Sequence, residues 1–93
     1  MIVNVTYLIA PYEEPRILNE SVVIENGTVR GLLETLAKRY NARIEKYVLD
    51  STGELRQDVL ISVNNRDIRG LNKIKTALKE GDKVTILPPI AGG

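Results

Sequence analysis

The residues with the clearest chemical potential stand in the final run, Pro88-Pro89-Ile90-Ala91-Gly92-Gly93. A free α-carboxyl has a pKa of about 3.3–3.7, so the Gly93 carboxylate is an anion at neutral pH and resists nucleophilic attack until it is activated. Gly92 and Gly93 lack a Cβ, which lets such a tip enter a narrow channel and leaves the terminal carbon open to a nucleophile. The alternative, from these residues alone, is a frayed terminus that happens to be rich in glycine.

Two prolines separate this tail from a strand-like segment. Val84-Thr85-Ile86-Leu87 has the apolar and β-branched composition of a strand. Proline lacks a backbone N–H and holds the residue before it in extended geometry, so Pro88 and Pro89 should end the strand. Fully extended, Ile90 to Gly93 would reach roughly 13 Å beyond the folded body. We therefore predict a functional tail mounted on the last strand.

Composition argues against an active site within the chain itself. The 93 residues contain no Cys and no His, which removes the usual zinc ligands, thiol nucleophiles and imidazole bases. The sequence also lacks a glycine-rich phosphate-binding loop. We therefore expect no bound metal, no bound cofactor and no enzyme activity of its own. The chain should be acted upon by partners, or should be a binding module with an incidental tail.

The charge balance gives no general attraction for polyanions. The chain has 13 Lys and Arg against 12 Asp and Glu, for a net charge of +1, so we expect neither nucleic acid nor membrane as a partner. No segment approaches the roughly 20 apolar residues of a membrane span. The first residues lack the basic region and cleavage site of a secretory signal, and we expect a cytoplasmic location.

Hydrophobic periodicity predicts two strands in the first quarter of the chain. Alternation over residues 2–9 places Val3, Val5, Tyr7 and Ile9 on a core face. Two prolines interrupt the pattern, and residues 16–25 resume it. The two strands should therefore form a hairpin with a loop longer than the tight two-residue kind.

One clear helix follows. Thr28 is a suitable N-cap, because its hydroxyl can accept from a backbone N–H in the first turn. The apolar residues after it recur at helical spacing and should face the sheet: Val29, Leu32, Leu33, Leu36, Ala37 and Tyr40. Gly31 costs about 1 kcal/mol relative to alanine in a helix. Its presence predicts close approach of another backbone.

The second half of the chain predicts shorter elements. Residues 59–63 predict a third strand, Asn64-Asn65 a tight turn and residues 66–68 a short return strand. Residues 83–87 predict the last strand. Three apolar residues between these strands are expected to dock a loop or a helical turn inward: Leu71, Ile74 and Leu78. In the weakly patterned stretch before residue 59, Ile44, Tyr47 and Val48 could face inward and Leu55 could anchor the return.

The order of elements predicts a single α+β domain over residues 1–93, with residues 88–93 as its tail. The helix stripe should cover one face of the sheet. If the sheet is mixed, with the first and last strands adjacent and parallel at its centre, the fold is a β-grasp. In that arrangement the tail leaves the sheet beside the first strand.

Three segments of the C-terminal third carry a specific resemblance: Val63-Asn64-Asn65, Leu78-Lys79-Glu80-Gly81-Asp82-Lys83-Val84 and Leu87-Pro88-Pro89-Ile90-Ala91-Gly92-Gly93. In residue type and spacing they resemble the MoaD/ThiS family of ubiquitin-like sulfur carriers. The diproline and the chain length favour the MoaD type, which includes archaeal small modifier proteins. The strand–strand–helix start extends the resemblance over most of the chain.

The resemblance implies a mechanism. An ATP-using enzyme of the ubiquitin-activating type would adenylate the Gly93 carboxylate, and sulfur transfer would convert it to a thiocarboxylate. The chain would then be the small subunit of molybdopterin synthase, whose large subunit takes up the tail and uses its sulfur to form the dithiolene of molybdopterin. The same family contains modifiers joined to lysines of target proteins and carriers for tRNA thiolation, and the sequence does not separate these roles.

Strand alternation also predicts a docking surface near the tail. With Val84 and Ile86 facing the core, Leu87 faces away from the helix, and Leu8 and Leu60 do the same in their strands. The resemblance implies docking by this open face, so we expect the three leucines to form an exposed partner-binding patch. Singly exposed leucines are the simpler explanation, and a one-residue slip in register would reverse the assignment.

Overall fold

The computed structural model describes residues 1–9, 16–39, 46 and 48–87. The described residues include five strands and an α-helix: β1 (Ile2–Ile9), β2 (Arg16–Val23), α1 (Val29–Arg39), β3 (Leu60–Val63), β4 (Arg66–Asp67) and β5 (Lys83–Leu87). Two short 3-10 helices, Ile68–Gly70 and Lys73–Lys75, connect β4 to β5. None of the helices in this part of the chain has the length and hydrophobicity needed to cross a membrane.

The strands form one mixed sheet in the order β2-β1-β5-β3-β4. β1 pairs antiparallel with β2 and parallel with β5, and β5 pairs antiparallel with β3. The first and last strands are therefore adjacent and parallel at the centre of the sheet. This arrangement confirms the predicted α+β, β-grasp fold.

The core lies between the helix and one face of the sheet. Val3, Val5 and Tyr7 are at most 2% exposed, as the alternation in β1 predicts. The helix, the other strands and the segments between them complete the buried cluster: Val22, Ile24, Val29, Leu32, Leu33, Leu36, Val48, Val59, Ile61, Val63, Ile68, Ile74, Leu78, Val84 and Ile86. Removing this apolar surface from water is the main source of stability for the fold.

The start of α1 follows the prediction from sequence. The Thr28 hydroxyl accepts a hydrogen bond from the backbone N–H of Gly31 at 3.1 Å, which satisfies one donor of the first turn. A Cβ on Gly31 would overlap the carbonyl oxygen of Asn26. The predicted close approach of another backbone at this glycine is therefore confirmed.

The inward docking predicted for Leu71 is wrong. Ile74 and Leu78 are buried, whereas Leu71 is 40% exposed. The three leucine and isoleucine positions have helical spacing, but the segment is not an α-helix. Alternate residues face inward from Ile74 through Thr76 to Leu78, and this period of two leaves Leu71 outside.

Two strand ends also differ from the prediction. β2 ends at Val23, two residues earlier than expected, and β4 ends at Asp67. The Asp67 carboxylate accepts from the backbone N–H of Arg69 at 2.9 Å. That contact caps the first 3-10 helix, so Ile68 begins the helix instead of extending the strand.

The segment before β3, in which the hydrophobic pattern is weak, packs against the core. Val48 is 1% exposed, and Leu49 and Leu55 pair as an isolated bridge that packs against the core cluster. The inward positions predicted for Val48 and Leu55 are therefore confirmed. Those predicted for Tyr40, Ile44 and Tyr47, and for the side chain of Ile9, lie outside the described residues.

Candidate functional site

β5 brings the base of the tail to the centre of the sheet. Its backbone pairs with β1 at Tyr7 and Ile86, and with β3 at Leu60 and Leu87. Neighbouring strands on both sides thus fix the position from which the tail starts. The tail residues themselves lie outside the described part of the chain, and their roles stay predictions: Pro88, Pro89, Ile90, Ala91, Gly92 and Gly93.

Two of the three leucines expected to bind a partner lie together beside the tail base. Leu60 and Leu87 are direct partners across β3 and β5, and they are 40% and 38% exposed. Leu8 follows Tyr7 in β1, and its side chain lies outside the described residues. The structure therefore places an exposed pair of leucines at the tail base, and its docking role stays a prediction.

Polar side chains occupy the middle of the same open face. The Thr6 hydroxyl donates to Asn19 Oδ1 at 2.6 Å, and the Ser21 hydroxyl donates to Asn4 Oδ1 at 3.0 Å. Both hydrogen bonds connect β1 with β2. Together with Thr85 on β5 these four side chains line a groove on this face, and neither leucine of the pair is part of its lining.

A second apolar pair lies at the opposite end of this face. Ile2 and Val23 are partners across β1 and β2, and they are 44% and 66% exposed. The open face is therefore apolar at both ends and polar between them. Only the end that carries Leu60 and Leu87 adjoins the base of the tail.

The other motif residues meet at the start of β5, away from the tail. Asn64 Oδ1 accepts from the backbone N–H of Lys83 at 3.0 Å, and Asn64 Nδ2 donates to Asp82 Oδ1 at 2.9 Å. The second carboxylate oxygen of Asp82 accepts from the backbone N–H of Lys79 at 2.8 Å. These bonds join the turn after β3 to the turn before β5, so the two segments have a structural role.

Sequence reasoning did not find this pairing, although both residues stand in segments that carry the family resemblance. Asn64 and Asn65 have φ values of 51° and 69°, and Gly81 has a φ of 83°. Asparagine and glycine tolerate this left-handed region better than other residues. The residue types therefore indicate the two turns, but they do not indicate the contact between the turns.

Among the described residues, the charged groups with shifted pKa values lie in the loop that leads to β3. Hydrogen bonds from the Thr52 hydroxyl and backbone, and then from the Glu54 backbone, hold the pKa of Asp50 below its usual value. A hydrogen bond from Arg56 lowers the pKa of Asp58, and the same contact raises the pKa of Arg56. These interactions close the loop locally. Within the part of the chain that the structure describes, no cluster of acidic residues could hold a metal ion.

A β-grasp domain whose central last strand leads into a glycine-rich tail is the architecture of a ubiquitin-like carrier. The ThiS family model matches residues 5–93, and the chain belongs to this family of ubiquitin-like sulfur carriers.

Known relatives support the assignment along nearly the whole chain. The chain is 35% identical over 92 residues to sulfur carrier protein CysO of Mycobacterium tuberculosis, covering 97% of this chain and 99% of that protein. It is 34% identical over 71 residues to small archaeal modifier protein 3 of Haloferax volcanii, covering 76% and 75%. A chain of the BexX/CysO complex from Amycolatopsis orientalis superposes with a TM-score of 0.68 at 28% identity, covering 96% and 99%.

Proposed function

We propose that the chain is a sulfur carrier whose Gly93 carboxylate is adenylated and then converted to a thiocarboxylate. The observation that supports this proposal is the position of β5. The strand that leads into the tail pairs on both sides, with β1 and with β3, and the family match runs through residue 93. Because β5 is paired as far as Leu87, a partner can bind the folded domain in a fixed position while residues 88–93 enter its active site.

The chemistry needs a partner because a carboxylate anion is a poor electrophile. One Gly93 oxygen would attack the α-phosphate of ATP, forming an acyl-adenylate and releasing pyrophosphate. A hydrosulfide ion from the sulfur donor would then attack the carbonyl carbon and lose its proton to a base, and AMP would leave with that oxygen and its electron pair. A C–S bond thus replaces the C–O bond to AMP. The adenylating enzyme binds ATP and supplies the acid–base groups that a chain without His or Cys does not carry.

As the acceptor of the sulfur we propose the pterin precursor of molybdopterin, bound by the large subunit of molybdopterin synthase. The support is the MoaD-type ending, in which Pro88-Pro89 precede the diglycine. The competing outcome is that a different enzyme uses the sulfur, because a relative of this chain forms the BexX/CysO complex. The test mixes thiocarboxylated protein with the large subunit and its pterin precursor. Formation of the dithiolene product with return of the carboxylate supports this acceptor, and retention of sulfur by the chain rejects it.

A second candidate function is protein modification. The identity with small archaeal modifier protein 3 favours it, since the same activated Gly93 could acylate a lysine amine instead of accepting sulfur. Tryptic proteomics of the source cells would then find residues 84–93, the segment after Lys83, attached through Gly93 to target lysines. This attachment should disappear in cells that express only a chain truncated before Gly92.

The activation step is tested by intact mass. Incubated with its cognate adenylating enzyme, ATP and a sulfur donor, the wild-type chain should gain about 16 Da through oxygen-to-sulfur exchange. A chain lacking Gly92 and Gly93 should fold normally and gain nothing, and Gly70→Ala serves as a glycine substitution away from the tail. Failure of the wild-type chain to gain this mass would reject the carrier proposal.

A further inference from the structure

Residues 68–79 present positive charge that the chemistry of the tail does not use. This segment contains Arg69, Lys73, Lys75 and Lys79 and no Asp or Glu, and all four cations are exposed. Arg69 forms an ion pair with the end of β4. Among the described residues, none of the three lysines has a carboxylate within ion-pair distance. A chain with a net charge of only +1 therefore concentrates unpaired cations here.

An exposed leucine lies among these charges. Leu71 is 40% exposed, between Arg69 and Lys73 in sequence. An exposed apolar side chain with exposed cations on both sides of it in the sequence combines an anchor for a pocket with charges that a partner can match. We call Leu71, Lys73 and Lys75 the cationic turn.

The backbone of the cationic turn is held in an uncommon conformation. Lys73 has a φ of 52°, a left-handed value that costs free energy in a residue other than glycine. Buried Thr76 fixes it: its hydroxyl donates to the Lys73 carbonyl at 2.6 Å and accepts from the Asn72 N–H at 3.0 Å. The Thr76 carbonyl in turn accepts from the Val29 N–H at 3.0 Å. The fold thus maintains a strained turn that displays a lysine.

We propose that the cationic turn docks on an acidic surface of the adenylating enzyme, with Leu71 in an apolar pocket. This inference rests on the proposed carrier function. The adenylating enzyme acts at Gly92-Gly93, which have no side chains and end in a carboxylate that every chain end carries. Recognition of the carrier therefore needs contacts before the diglycine, and charged contacts are available only on the folded body, because residues 88–91 are uncharged. The acceptor enzyme instead meets a thiocarboxylate, which already distinguishes the loaded carrier.

An acidic protein surface fits the cationic turn better than nucleic acid does. A phosphate backbone would match the lysines but offers no pocket for Leu71. The low net charge of the chain also gives little of the general attraction on which nucleic-acid binding depends. Charges on a protein partner, by contrast, can steer the carrier into place and raise its association rate.

The test measures adenylation kinetics with the cognate adenylating enzyme. Reversing both charges with K73E and K75E together should raise KM about tenfold at low salt, leave kcat unchanged and weaken the salt dependence of kcat/KM. Leu71→Ala should raise KM about threefold. Charge reversal at Lys38, an exposed cation at the end of α1, is the matched control and should leave KM as in the wild type.

Lys73→Gly separates docking from stability. Glycine relieves the positive φ, so this variant should unfold at a higher temperature than the wild type and still have a raised KM. Asn65→Gly is the control, because Asn65 also has a positive φ and lies outside the cationic turn. It should raise the unfolding temperature and leave KM unchanged.

Three results would overturn the inference. Wild-type KM in all the turn variants would reject it while leaving the carrier proposal intact. Competitive inhibition by a 20-nucleotide single-stranded RNA, lost in the double charge reversal, would assign the turn to nucleic acid. A wild-type chain that the enzyme does not adenylate would reject the carrier function and this inference together.

Discussion

Asn64 and Asp82 hold together the two turns at the end of the sheet from which β5 starts, with Nδ2 of Asn64 donating to Oδ1 of Asp82 at 2.9 Å. Asn64 also accepts from the backbone N–H of Lys83, the first residue of β5. Because β5 pairs with two strands, a fixed start sets its register along its whole length. The pair therefore helps to determine where Leu87, and with it the tail, leaves the sheet.

Asn64→Ala should reduce the free energy of unfolding by about 1–3 kcal/mol more than Asn65→Ala. Both substitutions put alanine at a positive φ, so the strain of the backbone is similar in the two variants. Only Asn64 bridges to Asp82 and Lys83 among the described contacts. Urea unfolding of both variants gives the difference, and equal losses would show that the side-chain bridge contributes nothing.

Gly31→Ala should lower the free energy of unfolding by about 1–3 kcal/mol, despite the higher helix propensity of alanine. The added Cβ would overlap the backbone of Asn26, whose carbonyl also accepts from the Thr28 N–H at 2.8 Å. Gly70→Ala is the control, because nothing lies within 4 Å of a Cβ at that position. Thermal unfolding should separate the two, and an unchanged Gly31→Ala midpoint would mean that the backbone shifts at little cost.

The fold was largely predictable because its signals are local. Alternation in β1 and the stripe of α1 place their side chains correctly without knowledge of the partner elements. The contact between Asn64 and Asp82 is not of this kind, since it joins residues 18 positions apart. No pattern in either turn alone indicates which group the other supplies.

Leu71 shows where a local pattern fails. Its spacing from Ile74 and Leu78 is helical, but the chain forms two 3-10 helices and then an extended segment. Thr76 takes the inward position that an α-helix would give to another residue, and its hydroxyl bonds to the turn. Because the Thr76 hydroxyl bonds to the backbone of the turn, the buried residues of this segment alternate and do not follow helical spacing. At the functional end, Leu60 and Leu87 were placed by alternation alone because each lies in a regular strand.

Stability should fall as the pH drops below about 4, and two aspartates in the loop before β3 should contribute to the loss. The pKa values of Asp50 and Asp58 are lowered in the folded state. Their ionised forms therefore stabilise the fold above the ordinary carboxyl pKa, and this contribution disappears as the pH falls through the lowered values. Unfolding midpoints measured from pH 2 to 6 should depend less on pH in Asp50→Asn.

The two aspartates should respond differently to salt. Asp58 is held by the charged Arg56, whereas Asp50 is held first by the uncharged Thr52 hydroxyl and backbone amides. Salt screens an exposed ion pair, so 1 M NaCl should reduce the pH dependence attributable to Asp58 more than that attributable to Asp50. Identical salt responses of Asp58→Asn and Asp50→Asn would contradict these assignments.

Leu60→Glu should weaken binding to the adenylating enzyme and to the acceptor enzyme by about tenfold or more each. The substitution would bury a carboxylate against the apolar surface of the partner. Leu60 is on β3, so the substitution leaves the sequence of β5 and the tail intact. Its side chain is 40% exposed in the free chain, and the unfolding midpoint should change little. Isothermal titration calorimetry with the cognate adenylating enzyme and with the acceptor enzyme measures the effect on each complex.

Val23→Glu is the matched control for this experiment. Val23 is 66% exposed on the same open face, but it pairs with Ile2 at the end away from the tail base. The same change in charge and polarity should therefore leave both affinities within about twofold of the wild type, as expected for a surface substitution outside an interface. If Val23→Glu weakens binding as much as Leu60→Glu, partners use the whole open face; if neither does, the leucine pair at the tail base is not a docking site.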